Sequence, residues 1–166
     1  MIRNENLKTL SWEHHDGLVV AFRLQQGIKR KVRLSDIVAY IIYVWENTLQ
    51  HHFIREEKTI NPNLENRPEG KVLVERMMAE HLIFNKLIRR IKSNAKGTDA
   101  IGKFAELLNK HIRFEERDLF PLLEKTATNK ELTAIGIILG DSYHSTCNNW
   151  PIKFWEQPQN AVGLKA

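Results

Sequence analysis

Three features of the 166-residue chain predict an all-α fold. It should be an antiparallel, up-down-up-down four-helix bundle with a short fifth helix and an irregular C-terminal tail. Apolar residues recur at three- and four-residue spacing through four long segments. The connections between those segments are short, which favours antiparallel neighbours. Finally, His52-Phe53-Ile54-Arg55-Glu56-Glu57-Lys58 is echoed 59 residues later by His111-Ile112-Arg113-Phe114-Glu115-Glu116-Arg117, as two helical hairpins would produce.

The first helix is read from Leu7, Leu10, Leu18, Phe22 and Ile28, with Gly27 as its stop. Ser35 and Asp36 then have the chemistry of a cap. The helix they open runs over about 37–58, with a core stripe of Ile37, Tyr40 or Ile41, Val44, Trp45, Thr48 and His52. Residues 59–70 carry two prolines and three asparagines and read as a loop. A third helix over about 71–94 is marked by Val74, Met77, Met78, His81, Phe84, Leu87, Ile88 and Ile91, and Lys96-Gly97 ends it. Thr98 or Asp99 caps a fourth helix reaching about residue 125, which Pro121 should bend or tighten. Thr128-Asn129-Lys130-Glu131 has capping-box spacing and opens the short fifth helix, to about residue 139. From Asp141 onward the chain reads as irregular, with Trp150 and Trp155 docked on the bundle and a loose tail after Pro158. A single domain over 1–166 is expected, with the bundle over about 7–125 and the short helix and tail over about 128–166.

Composition excludes several functional classes. Apolar residues make up 42% and charged residues 27%, as in ordinary globular chains. No apolar run approaches the length of a membrane span, and the segment after Met1 lacks the features of a signal peptide. Cys147 is the single cysteine, which rules out an internal disulfide and cysteine-based metal clusters and suits a reducing, cytoplasmic location. The net charge of +5 is modest and no helix-turn-helix spacing is present, so no nucleic-acid partner is expected. Lys29-Arg30-Lys31-Val32-Arg33 and the Arg89–Lys96 cations fall at one pole of an antiparallel bundle. There they complement helix C-termini or offer a docking surface to an acidic protein partner or an anionic membrane surface.

The seven histidines carry the chemistry. In each echoed stretch a glutamate follows a histidine by four residues, so imidazole and carboxylate share a helix face. His81 lies about 13 residues from the end of helix three and His111 about 12 from the start of helix four. At roughly 1.5 Å per residue, both sit about 18–20 Å from their shared turn. His14 or His15, about 12 residues before Gly27, and His52, about 16 after Asp36, reach a similar depth. Four helices thus place a histidine in one layer. His51 should face away from that layer, and His144 is read as structural or as a cover for the bundle. Met77 and Met78 read as core packing.

These residues resemble the haemerythrin-like, or HHE cation-binding, family. The matching motifs are Leu10-x-x-Glu13-His14-His15, His52-x-x-x-Glu56-Glu57, Glu80-His81 and His111-x-x-x-Glu115-Glu116-x-x-Leu119-Phe120-Pro121. The resemblance implies a non-haem centre of two iron ions per chain, oxo- or hydroxo-bridged, between the four helices. It makes His52, His81 and His111 terminal ligands and Glu56 and Glu115 bridging carboxylates. Helix one supplies His14 or His15, which point about 100° apart; Leu10 favours the first, Leu18 and Phe22 the second. The sequence departs from the oxygen-carrier pattern at Asn85, where those proteins carry a second helix-three histidine. It departs again at helix four, where a glutamate follows His111 by four residues instead of an aspartate by five. The spare histidine of helix one, His51, His144, Glu80 or water would then complete one iron. The small partner implied is O2, NO or peroxide, bound, sensed or turned over; a helical interaction module with a vestigial metal site is the alternative.

Overall fold

The computed structural model describes residues 3–93, 98–140, 145 and 147–156, which are helical throughout apart from short connections. Helix α1 (Lys8–Lys29) follows a 3-10 turn, Glu5–Leu7, capped by the Asn4 side chain. Its buried face includes Leu10, His14, Gly17, Ala21 and Leu24, three and four residues apart. The helix runs past the expected stop at Gly27 and ends where Lys31 takes a positive φ of 53°. Gly27 serves packing instead: a Cβ there would lie 2.8 Å from the ring of Phe154.

The second rod is α2 (Leu34–Val44), a π-helical turn at Trp45–Leu49, and α3 (Gln50–Thr59). It starts before the expected cap, and Asp36 in its first turn pairs instead with Arg33 at 2.8 Å. In the π turn the Gln50 amide donates to the Trp45 carbonyl, five residues back. That extra residue turns Leu49 rather than Thr48 into the core.

The expected 59–70 loop is largely helical. A short helix, α4 (Asn61–Leu64), follows α3, and α5 (Pro68–Ser93) begins at a proline. Pro62 and Pro68 fall in first turns, where a missing N–H costs no hydrogen bond. Asn63 caps the Thr59 carbonyl with its side-chain amide. Helix α5 buries Val74, Met77, His81, Phe84, Ile88 and Ile91 at alternating three- and four-residue steps.

The last rod is α6 (Asp99–Phe114), a second π turn at Glu115–Leu119, and α7 (Phe120–Thr126). The rod is widened rather than tightened ahead of Pro121. Pro121 lies just past the π turn, where the Phe120 amide reaches the Glu115 carbonyl. A proline cannot donate to residue 117, and widening the turn relieves the clash with that carbonyl. Helix α8 (Asn129–Leu139) opens with the predicted capping box and folds back on the N-terminal turn, where Thr9 donates to the Gly140 carbonyl. In the tail, Phe154 is buried beside Gly27 and Ile37, Trp150 packs on Tyr40 and Tyr43, and Arg23 lies over the Trp155 ring. Asp141 to His144 and the stretch after Pro158 lie outside the described residues.

Neighbouring rods run in opposite directions. His14 meets His52 while Gly27 meets Ile37; Phe84 meets Phe104 while Arg90 meets Asp99; Arg3 meets Glu124 while Gly17 meets Ile112. The apolar core is split in two. One cluster holds Val20, Leu24, Tyr40, Phe84 and Phe104; the other holds Leu7, Leu10, Leu64, Met77 and Phe120. Between them lies a layer of buried histidine and glutamate. Among the described residues, no helix is long and apolar enough to cross a membrane.

Candidate metal centre

Six side chains from the four rods meet in the layer between the two apolar clusters: His14, His52, Glu56, His81, His111 and Glu115, each at most 3% exposed. They form two groups, His14–His52–Glu56–Glu115 and Glu56–His81–His111–Glu115. In each, the potential ligand atoms lie within 4.8 Å of one another. Both glutamates belong to both groups. Glu56 Oε1 lies 3.2 Å from His14 Nε2 and 3.1 Å from His52 Nε2, while Oε2 lies 3.5 Å from His81 Nε2. Glu115 Oε2 lies 3.1 Å from His14 Nε2 and Oε1 3.3 Å from His111 Nε2.

Of these contacts only His14 Nε2–Glu56 Oε1 is aligned as a hydrogen bond. Glu56 Oε2 and both oxygens of Glu115 are buried with no hydrogen-bond partner. A buried charged oxygen left unsatisfied costs more than the roughly 1–3 kcal/mol of a neutral group. His81 Nε2 and His111 Nε2 also face each other at 3.2 Å. Orphaned carboxylate oxygens and facing imidazole nitrogens fit cations shared at the centre of each group. Imidazole and carboxylate donors suit iron, manganese or zinc.

The outward nitrogen of every one of these histidines meets a carboxylate from another rod. His14 Nδ1 pairs with Glu116 at 2.7 Å, His52 Nδ1 with Glu13 at 2.7 Å, His81 Nδ1 with Glu57 at 2.8 Å and His111 Nδ1 with Glu80 at 2.7 Å. The pattern closes on itself, each rod supporting the histidine of the next. Such a bond fixes Nδ1 as the protonated nitrogen, aims Nε2 inward and raises its basicity toward a metal. Aromatic rings hold the planes: His14 stacks on Phe120 and His81 on Phe53, which also meets His111 edge-on.

The electrostatics follow from this crowding. Burial opposes charge on His14, but the facing carboxylates of Glu115, Glu116 and Glu56 prevail and hold its pKa well above 6.5. The same contest, with Glu56 and Glu57 as partners, pushes His81 up to about 9, and Glu56 and Glu13 raise His52. Burial would raise Glu56, yet His52, His14 and His81 hold it well below the usual carboxylate range. Glu116, against its own burial, is drawn down to about 2 by His14, Ser11 and Arg3.

Of the residues expected from sequence, His14, His52, Glu56, His81, His111 and Glu115 are brought together and His15 is not. His15 is exposed, one helical step round from His14. Leu10 shares the face of His14 and is fully buried, whereas Phe22, which pointed to His15, is exposed. Asn85 is exposed too, and its side chain returns to the His81 carbonyl at 3.0 Å. The four histidines divide two and two between the groups without it. His51 is exposed, Glu80 supports His111 from outside, and His144 lies outside the described residues.

The sequence model of the Hemerythrin HHE cation binding domain matches residues 9–123. The chain belongs to that family. An uncharacterized hemerythrin-like protein of Schizosaccharomyces pombe is 30% identical over 95 residues, which cover 54% of this chain and 46% of that protein. The match thus spans about half the length of this relative. No solved structure matches the chain significantly.

In this haemerythrin-like domain, sequence reasoning missed the supporting roles of Glu13, Glu57, Glu80 and Glu116. The signal was present as doublets: Glu13-His14, Glu56-Glu57, Glu80-His81 and Glu115-Glu116. Adjacent helical residues diverge by about 100°, so each doublet aims one group at the centre and the other at a neighbouring rod.

Proposed function

We propose that this chain is a non-haem iron protein whose six buried side chains hold two iron ions, with Glu56 and Glu115 bridging them, and that the centre binds or senses O2, NO or peroxide. One observation carries the reading. Two histidine pairs share the same two carboxylates, three of whose oxygens are buried without a hydrogen-bond partner. Bound iron supplies the one-electron redox chemistry and the affinity for small oxidants that the protein's own groups lack. The protein's part is to orient and to exclude. The four Nδ1–carboxylate bonds fix each imidazole, and the apolar clusters on either side keep bulk water from the layer. The single cysteine suits operation in a reducing cytoplasm.

Anaerobic loading with ferrous iron tests this. Two ions per chain are expected, with a near-ultraviolet charge-transfer band after oxidation; uptake of none or one overturns the reading. Each half offers four donor atoms, two imidazole and two carboxylate. That number leaves positions for a small ligand, so turnover of peroxide, O2 or NO is the second reading. Consumption well beyond one equivalent per site under continued reduction separates it from binding. The interaction-module alternative draws little support from the basic pole. There Arg33 pairs with Asp36, Lys92 with Glu46, and both Arg90 and Lys103 with Asp99.

A further inference from the structure

The four outer carboxylates have unequal backing. Glu116 takes bonds from Ser11 and from Arg3, whose side chain is only 16% exposed and also holds Glu124 at 3.0 Å. Glu13 is clamped by Arg55, itself 28% exposed. Both stand behind the His14–His52 half. Behind the other half, Glu80 is held by Arg76, which is 47% exposed. Glu57, behind His81, is 35% exposed, and among the described residues no arginine or lysine pairs with it. Ion pairs of partly buried arginines that make several bonds hold a carboxylate in place, whereas exposed pairs contribute little. A groove of about 490 Å³ also opens beside the Glu57–His81 pair. Asn61, one turn beyond Glu57, and Met78 and Leu82, which flank His81 on α5, line it.

We infer that the two halves of the centre are held unequally, and that the metal of the His81–His111 half exchanges first, through the side where unclamped Glu57 backs His81 beside the α4–α5 groove. When Glu57 swings into solvent, His81 loses the bond that aims its Nε2 inward. His14 and His52 have no comparable freedom, because Arg3, Ser11 and Arg55 hold their carboxylates. The inference rests on the two-ion reading above and adds to it an order of loading and release.

Chelator competition tests it on the full chain. Protein loaded anaerobically with ferrous iron and mixed with excess ferrous chelator should lose its iron in two phases of equal amplitude. Glu57→Gln should speed the fast phase roughly tenfold, since losing the carboxylate behind a ligating imidazole weakens metal binding by about that order. The slow phase should not change. Arg55→Gln, which frees Glu13, should speed the slow phase and leave the fast one. Asn61→Arg, placing a cation four residues beyond Glu57, should slow the fast phase. All three side chains are half-buried, and thermal unfolding of each metal-stripped variant checks its fold. Uptake of fewer than two ions by the unaltered protein overturns the two-ion reading and this inference with it. Two ions lost in one phase, or Glu57→Gln leaving the fast phase unchanged or acting on the slow one, overturns the inference alone.

Discussion

Stripping the metal should reverse the pH dependence of stability, and His81 sets the size of the effect. Its imidazole is 2% exposed and its pKa is raised from 6.5 to about 9, the carboxylates of Glu56 and Glu57 outweighing burial. A group raised on folding contributes stability that is fully present below its unfolded pKa and lost as pH rises through its folded pKa. The window is therefore 6.5 to about 9, and the loss from His81 is about 3 kcal/mol. His14 and His52 are raised as well and act in the same direction. The global charge works the other way, since the chain approaches its isoelectric point near 9.4 and sheds self-repulsion over this range. A fall in stability thus reports the site. Metal binding requires neutral imidazoles and displaces their protons, so the loaded protein should hold or gain stability as pH rises. Urea unfolding at intervals from pH 6 to 9.5, for chelator-stripped protein and for protein loaded with redox-inert zinc, measures both slopes. Stripped protein whose stability is flat or rises between pH 6.5 and 9 would refute the reasoning. His15→Asn, a change outside the cluster, should leave both slopes as they are.

Three further outcomes are expected. His14→Ala should cost at least one of the two ions proposed per chain, and His15→Ala neither; metal analysis of purified protein after ferrous loading distinguishes them. Asn85→His should leave metal content unchanged, because the side chain is exposed and turned to the His81 carbonyl; a third ion, or a shift in the absorption spectrum, would return Asn85 to the centre. Gly70→Ala should destabilise the fold by about 1–3 kcal/mol with metal content retained. The added Cβ would lie 2.5 Å from the Leu64 carbonyl oxygen, a backbone atom that cannot step aside; urea midpoints check it.

What could be read without coordinates was whatever depends on one helix at a time. The spacing His52 to Glu56 and His111 to Glu115 puts ligand types on one face, and four aligned histidines locate a layer. The Thr128–Glu131 box was legible for the same reason. What could not be read depends on two elements meeting. Gly27 looks like a helix stop until Phe154 is seen packed on it. The 59–70 segment looks like a loop because its prolines and asparagines are counted, not placed; both prolines occupy first turns. The π turns leave no mark in the apolar pattern beyond a one-residue slip, Leu49 for Thr48. Asn85 was judged by a pattern with a second helix-three histidine, and only the structure shows its side chain exposed and turned to the His81 carbonyl.

The closed order of support bears on how the chain tolerates its own centre. Two carboxylates and four imidazoles at full burial are costly, and removing one partner from such a group strands a charge rather than subtracting one interaction. In this bundle each rod supplies both a central group and the carboxylate behind its neighbour's histidine, so no rod can shift without loosening the next. The two π turns belong to the same argument. One lies just before His52, and the other contains Glu115. Each inserts a residue into a rod that a regular helix would carry past the centre out of register. A bundle selected for packing alone would gain from straightening both rods and filling the layer with leucine. The wide turns, the orphaned oxygens and the four outer carboxylates are what the proposed cations would require of the chain.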